Sequence, residues 1–237
     1  MIPALLNPER FMAFSRWAAP LLGLIALVLA LGGLGLDFAA PPDRHQGYSV
    51  HIMFIHVPAA IMSEVAYVCM GVAAFLSLVF RQVLATAAAR AAAPLGAGLA
   101  LLALVTGSLW GRPTWGTYWV WDPRLTSELV LFLFYAGVMA LELAIDDEAR
   151  AARAAAILAL VGLIDLPIVH FSVTWWNSLH QGSSLTTPGA LPGVYLTPLL
   201  MMVLAYLAGF GALWLVRIRA EVWRRRAGAL ALRGAAA

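Results

Sequence analysis

Five histidines, His45, His51, His56, His170 and His180, and six of the nine tryptophans, Trp110, Trp115, Trp119, Trp121, Trp175 and Trp176, fall in or beside three segments that separate long apolar runs. Imidazole ligates metals through a neutral nitrogen, and indole offers a broad apolar face with one polar handle. Trp17, Trp214 and Trp223 read as an aromatic belt at the membrane surface. A belt does not account for Gly111-Arg112-Pro113-Thr114-Trp115-Gly116-Thr117-Tyr118-Trp119-Val120-Trp121-Asp122, where aromatic residues crowd a short stretch with two glycines and an arginine, Arg112, and a second arginine, Arg124, follows. Such a segment is expected to lie flat as an aromatic shelf. A large planar apolar ligand with a charged edge suits it: indoles stack on the face, glycines admit close approach, and Arg112 or Arg124 could pair with carboxylates. Haem has that shape and two propionates, and its iron favours axial imidazoles, which histidines flanking the shelf in sequence could supply. His56 precedes Val57-Pro58 at the expected start of a helix, where the macrodipole disfavours imidazolium. His180 comes from the third segment, in Trp175-Trp176-Asn177-Ser178-Leu179-His180-Gln181-Gly182.

Other polar residues admit plainer readings. His51, five residues before His56, is a reserve ligand or a solvated side chain, with solvation the commoner case, and His45 has still less claim. His170 is expected to hydrogen-bond and orient the third segment. Asp122 caps the helix opened by Pro123, or pairs with Arg124. Glu64 and Asp165 are ionisable groups inside apolar runs, expected to face a bundle interior. Glu64 follows His56 by eight residues, so both project to one broad side of a helix. The lone Cys69 cannot form an intramolecular disulfide or a CxxC centre and reads as structural.

The elements that must position these residues are membrane helices. Of the 237 residues 62% are hydrophobic and 11% charged, against about 25% charged in a soluble domain. Runs near 18–36, 57–80, 92–110, 126–145, 154–171 and 194–216 are each long enough to span a bilayer. The fold expected is all-α, a polytopic integral membrane protein of six transmembrane helices. The first run is expected to persist as a helix rather than be cleaved as a leader. All 15 basic residues are arginine, and 12 of them (10, 16, 81, 90, 150, 153 and six after 216) fall on one side of this arrangement. Only Arg44, Arg112 and Arg124 fall on the other, so both termini are expected in the cytoplasm and loops 37–56, 111–125 and 172–193 outside. The chain divides into a cytoplasmic segment, 1–17, a membrane domain, 18–216, carrying the outer Trp-rich loop 110–128, and an Arg-rich cytoplasmic tail, 217–237. The tail is expected to anchor on anionic membrane lipid. Arginine confined in this way is not the basic surface of a nucleic-acid binder, and no nucleic-acid partner is expected.

Three stretches together carry a resemblance: Ile55-His56-Val57-Pro58-Ala59-Ala60; Trp110-Gly111 through Trp119-Val120-Trp121-Asp122 to Leu125-Thr126-Ser127-Glu128-Leu129; and Trp175 through Gly182. In this order they resemble the CcmC family, membrane proteins that handle haem in System I cytochrome c maturation and are marked by a tryptophan-rich WWD domain and two outer histidines. The similarity runs from about residue 45 to 216. It implies a bacterial inner-membrane protein in which His56 and His180 are axial ligands of a transient haem b. It implies a haem and chaperone platform made by the Trp-rich loop, with Trp110, Trp115, Trp119, Trp121 and Asp122. It further implies as partners the haem chaperone CcmE, the small membrane protein CcmD and the CcmAB ATPase complex.

Two other classes compete. A cytochrome b-like oxidoreductase usually carries paired histidines within helices at two depths, whereas here all five cluster towards one side. A permease should show polar or broken helices near the midplane, and apart from Glu64 the runs show little of that. No nucleotide-binding loop, HExxH, nucleophile elbow or CxxCH occurs, so catalysis by the chain itself is not expected.

Overall fold

The computed structural model describes residues 7–182, 185, 187 and 189–235. Residues 1–6 of the expected 1–17 segment, residues 183, 184, 186 and 188 of the third loop, and residues 236 and 237 of the tail lie outside the described residues. Helices α1 (Pro8–Ala39), α2 (Met53–Phe80), α3 (Val83–Trp115), α4 (Pro123–Ala144), α5 (Glu148–Gly162), α6 (Asp165–Trp175) and α7 (Gly193–Ala235) follow one another. Six spans are long and apolar enough to cross a membrane, α5 and α6 together making one of them. The helices outrun the apolar runs that announce them, because hydropathy sees only the lipid-facing middle while caps and polar turns extend each end. Asn7 caps α1, accepting from the Glu9 and Arg10 amides, and Asp147 caps α5, accepting from the Arg150 amide.

Helix α1 packs mainly on α7, and α2 packs on α3, with α4, α5 and α6 closing the second group. The core joins Met62, Ala66, Tyr67 and Met70 of α2 to Ala93, Ala97 and Ala100 of α3 and to Leu131 and Tyr135 of α4. Small residues let these helices approach closely in lipid, where the hydrophobic effect does not drive association. Gly96 is the sharpest case, since any Cβ there would run into the Tyr135 ring. Leu24, Leu27, Val28 and Leu31 of α1 and Val72 and Val79 of α2 face outward as a lipid-facing surface needs.

At the end bearing the termini, Arg90 meets Glu142, Glu148 and Glu221 at 2.9–3.1 Å. Arg226 pairs with Glu9, fastening the end of α7 to the start of α1. Arg224 and Arg225 both bond Glu221, so part of the arginine tail is engaged with the protein itself. Residues 8–17 and 217–235 are helical, continuous with the membrane-spanning parts of α1 and α7.

Three local departures from expectation shape the opposite end. Helix α3 continues through Trp115 in spite of Pro113, and stops where Gly116 turns left-handed (φ 80°) and its amide bonds the Arg112 carbonyl. The expected flat loop 111–125 is therefore half helix, and the non-helical link is residues 116–122. Helix α2 begins at Met53, fed by a 3-10 turn over Tyr48–Ile52, so His56 lies a turn inside a helix rather than at its start. The fifth run is broken: Leu163 and Ile164 bond three residues back, tightening the backbone between α5 and α6 just before Pro167, whose ring cannot continue a regular helix.

Candidate functional site

At the end away from the termini, His56 on α2 leans on α3. Its Nδ1 lies 3.0 Å from the Ala103 carbonyl and 3.2 Å from the Thr106 hydroxyl. A carbonyl can only accept, so Nδ1 carries the proton and Nε2 keeps its lone pair. The ring fits because residue 107 is glycine; a Cβ there would stand 2.9 Å from Cε1 of the imidazole. The free nitrogen therefore owes its state to packing on α3, not to a helix terminus, whose field fades beyond the first turn.

His180 is placed by the loop after α6. Its Nδ1 lies 2.8 Å from the Gln181 carbonyl, again leaving Nε2 bare, and its amide donates to the Ser178 hydroxyl at 3.0 Å. Ser178 in turn donates to Asp122 Oδ2 at 2.5 Å, and the Leu179 amide donates to the same oxygen at 3.2 Å. The other oxygen, Oδ1, accepts from the Leu125 amide at 2.8 Å, capping α4. One buried carboxylate thus holds both the start of α4 and the loop that carries His180. Burial, helped by the nearby Arg124 charge, pushes the His180 pKa below its usual 6.5, which favours the neutral imidazole.

The two rings stand with centres 6.2 Å apart, inclined by 38°. An imidazole nitrogen lies about 1.2 Å from its ring centre and about 2 Å from a metal it ligates, so two imidazoles on opposite sides of one metal would put their centres about 6.4 Å apart. Among the described residues no group of three or more His, Cys, Asp or Glu side chains is arranged to hold an ion. Two imidazoles so spaced are a donor set that a metal already held by its own macrocycle would take.

Two cavities meet at this pair, the smaller lined also by Trp115, Trp119 and Glu128 and the larger also by Glu64 and His170, and they share His56, Ala60, Trp110, Arg124, His180 and Gln181 in their walls. A disc lying between the rings would extend into both. Trp110 meets His56 edge-on at 5.7 Å, and its Nε1 donates to Gln46 at 2.8 Å. Trp115 lies 6.3 Å from His180. Trp119 lines the smaller cavity, and its buried Nε1 has no hydrogen-bond partner among the described residues. Trp121 touches Trp119 edge-on but is 76% exposed; Trp175, at the end of α6, and Trp176, just after it, are exposed as well.

The two arginines part company. Arg124 lines both cavities, donates to the Val169 carbonyl at 2.5 Å and faces Glu64 at 3.5 Å. Arg112 lines neither; it donates to the Gly116 carbonyl and lies over the Tyr118 ring at 5.6 Å, fastening the turn that ends α3. Asp122 is not paired with Arg124. His170 lies 3.3 Å from Glu64, and both line the larger cavity with His56. His51 is no solvated loop residue: its Nδ1 bonds the buried Asp37, tying α1 to the 3-10 turn. Sequence reasoning passed over Gln46, Gly107, Ser178 and Glu128. Only Glu128 announced itself, as a carboxyl inside an apolar run one turn after Arg124.

The CcmC family model, described as heme exporter protein C, matches residues 1–233. Heme exporter protein C of Bradyrhizobium diazoefficiens is 52% identical over 224 residues, 94% of this chain and 85% of the relative. The protein of that name from Escherichia coli K12 is 46% identical over 213 residues, 90% of this chain and 86% of the relative. That of Paracoccus denitrificans is 43% identical over 230 residues, covering 96% and 95%.

Proposed function

This chain belongs to the CcmC family of heme exporter protein C, and from that premise we propose that it holds haem b between His56 and His180 on the outer face and presents it to the chaperone CcmE. The family assigns it to haem handling in c-type cytochrome maturation, as a multi-pass protein of the bacterial inner membrane. Haem here is cargo. The observation that carries the reading is the pair of imidazoles 6.2 Å apart, each with Nδ1 turned to a backbone carbonyl and Nε2 free. Carbonyl acceptors behind metal-ligating histidines set the tautomer and hold the ring in place.

The remaining residues divide the work of binding and release. Trp110, Trp115 and Trp119 wall the cleft and keep water from the macrocycle faces. Arg124 and the unpartnered Trp119 Nε1 supply donors for propionates. Arg112 shapes the turn, and Asp122 positions His180. The exposed Trp121 offers an apolar surface on which CcmE can dock beside the cargo. Placement in the haem export machinery follows from the family, and CcmD and the CcmAB ATPase complex are the partners proposed. The bond between haem and chaperone draws on the chemistry of those two partners, while this chain holds and presents the cargo.

Absorption spectra of the purified full-length protein test the ligands. His56→Ala and His180→Ala should each shift the Soret band and stop transfer to CcmE, and added imidazole should partly restore the wild-type spectrum by filling the vacated axial position. A double variant with an unchanged spectrum and normal transfer would refute ligation by this pair.

A further inference from the structure

Glu128 belongs to the wall of the smaller cavity, with His56 and His180. It lies five residues into α4, about 8 Å below the helix start at a rise of 1.5 Å per residue, and is 6% exposed. Ser63 of α2 donates to its Oε1 at 2.9 Å, while Oε2 is buried with no partner among the described residues. A buried carboxyl oxygen left bare at a ligand cavity calls for a positive group to be supplied there.

The charges around it are otherwise committed. Arg124, one turn earlier on α4, faces Glu64 of α2 at 3.5 Å, and His170 of α6 faces the other oxygen of Glu64. Tyr135 of α4 donates its hydroxyl to the Ser63 carbonyl. Asp165 of α6 also has a bare oxygen, but it is absent from the walls of both cavities that meet at the histidine pair. Glu128 is thus the one carboxylate on the cavity wall with no ion-pair partner among the described residues.

We propose that Glu128 is the counter-charge for the metal centre and the residue that makes this cleft select a trivalent metalloporphyrin over a divalent one. The proposal rests on the cleft being the haem site. A porphyrin ring binds its metal as a dianion, so a trivalent metal leaves one net positive charge at the centre and a divalent metal leaves none. Two neutral imidazoles do not compensate that charge, and in a cavity of low dielectric a nearby carboxylate does.

The test uses redox-inert probes on the full-length protein: gallium(III) and zinc(II) protoporphyrin IX, titrated by their fluorescence against wild type and Glu128→Gln. Glutamine keeps the shape and the acceptor for Ser63 while removing the charge. Gallium affinity should fall about tenfold or more in the variant, with zinc affinity little changed. Glu128→Leu, which replaces the buried polar group by an apolar one, should give the same loss and serves if the glutamine variant does not fold. With haem itself, a tenfold weakening of the ferric form alone should raise the midpoint potential by about 59 mV. Equal losses for both metals, or an unchanged ratio, would overturn the role of Glu128 while leaving the cleft as the binding site. Failure of the wild type to bind either probe would overturn the cleft itself and this inference with it.

Discussion

At the scale of single residues, the carboxylate of Asp122 does the most positioning. It caps α4 and clamps Ser178 and Leu179 next to His180. Asp122→Ala should lose about 1 kcal/mol of stability through the cap. It should also weaken haem binding about tenfold or more, because the loop bearing His180 is released, whereas Asp122→Asn, which retains acceptors, should lose less. Soret titration beside thermal unfolding separates the two effects; haem affinity unchanged in Asp122→Ala would deny the clamp. His51 gives the opposite pattern. Removing its imidazole strands the buried Asp37, so His51→Ala should cost about 1–3 kcal/mol in thermal unfolding and leave the Soret band in place. The reading of His51 as a solvated side chain is thereby corrected, and the physical reason is a contact between residues 14 positions apart that spacing alone does not reveal. His45, outside this network, keeps its expectation of silence.

At the scale of elements, the site is a meeting of helix faces and linkers. Helix α3 supplies the bed for His56, and Gly107 is the hollow in it. Gly107→Ala should raise intrinsic helix stability, since alanine in a helix interior is better than glycine by about 1 kcal/mol. It should nevertheless weaken haem binding, because the methyl group displaces the imidazole. A thermal midpoint no lower than wild type together with a lower haem affinity is the expected signature; a variant that binds haem normally would show that the ring need not rest on α3. The length of α3 also explains why the aromatic shelf is not flat. Trp110 and Trp115 stand on its last turns, while Trp119 and Trp121 belong to the link that returns towards α4. The apolar platform is therefore a wall and a rim, the wall lining the cavity and the rim exposed.

For the whole molecule, the asymmetry of its two ends predicts its orientation. One end is laced by Arg90, Glu142, Glu148, Glu221 and the arginines of α7, and the other holds the histidine pair and the tryptophans. Twelve of the 15 basic residues belong to the first end, which should face the cytoplasm. With Cys69 replaced by alanine, Tyr118→Cys should react with a membrane-impermeant thiol reagent in spheroplasts and Asp146→Cys should not. Labelling of residue 146 from outside would sink this topology and with it the outer placement of the haem cleft.

Some of this was determined by sequence alone. Six spans follow from apolar runs, because a bilayer imposes a length on any helix that crosses it, and the fold is all-α because lipid leaves no other way to satisfy an open backbone. Residue types alone pointed to an outer-face binder of a planar ligand, since tryptophans and histidines are concentrated in a few short segments, and the family resemblance narrowed that ligand to haem. Local rules misjudged where helices begin and end, because Pro58 and Pro113 are accommodated inside α2 and α3 and Pro167 helps to break the fifth span. Only the tertiary structure decided which donors are free. Whether the nitrogen of His56 is bare depends on a carbonyl 47 residues away, the placement of His180 on a carboxylate 58 residues earlier in the chain, and the solitary state of Glu128 on Arg124 being taken by Glu64. Hydrogen bonding and charge pairing act over a few ångströms of space, and the distances that govern them come into being when helices far apart in the chain pack together.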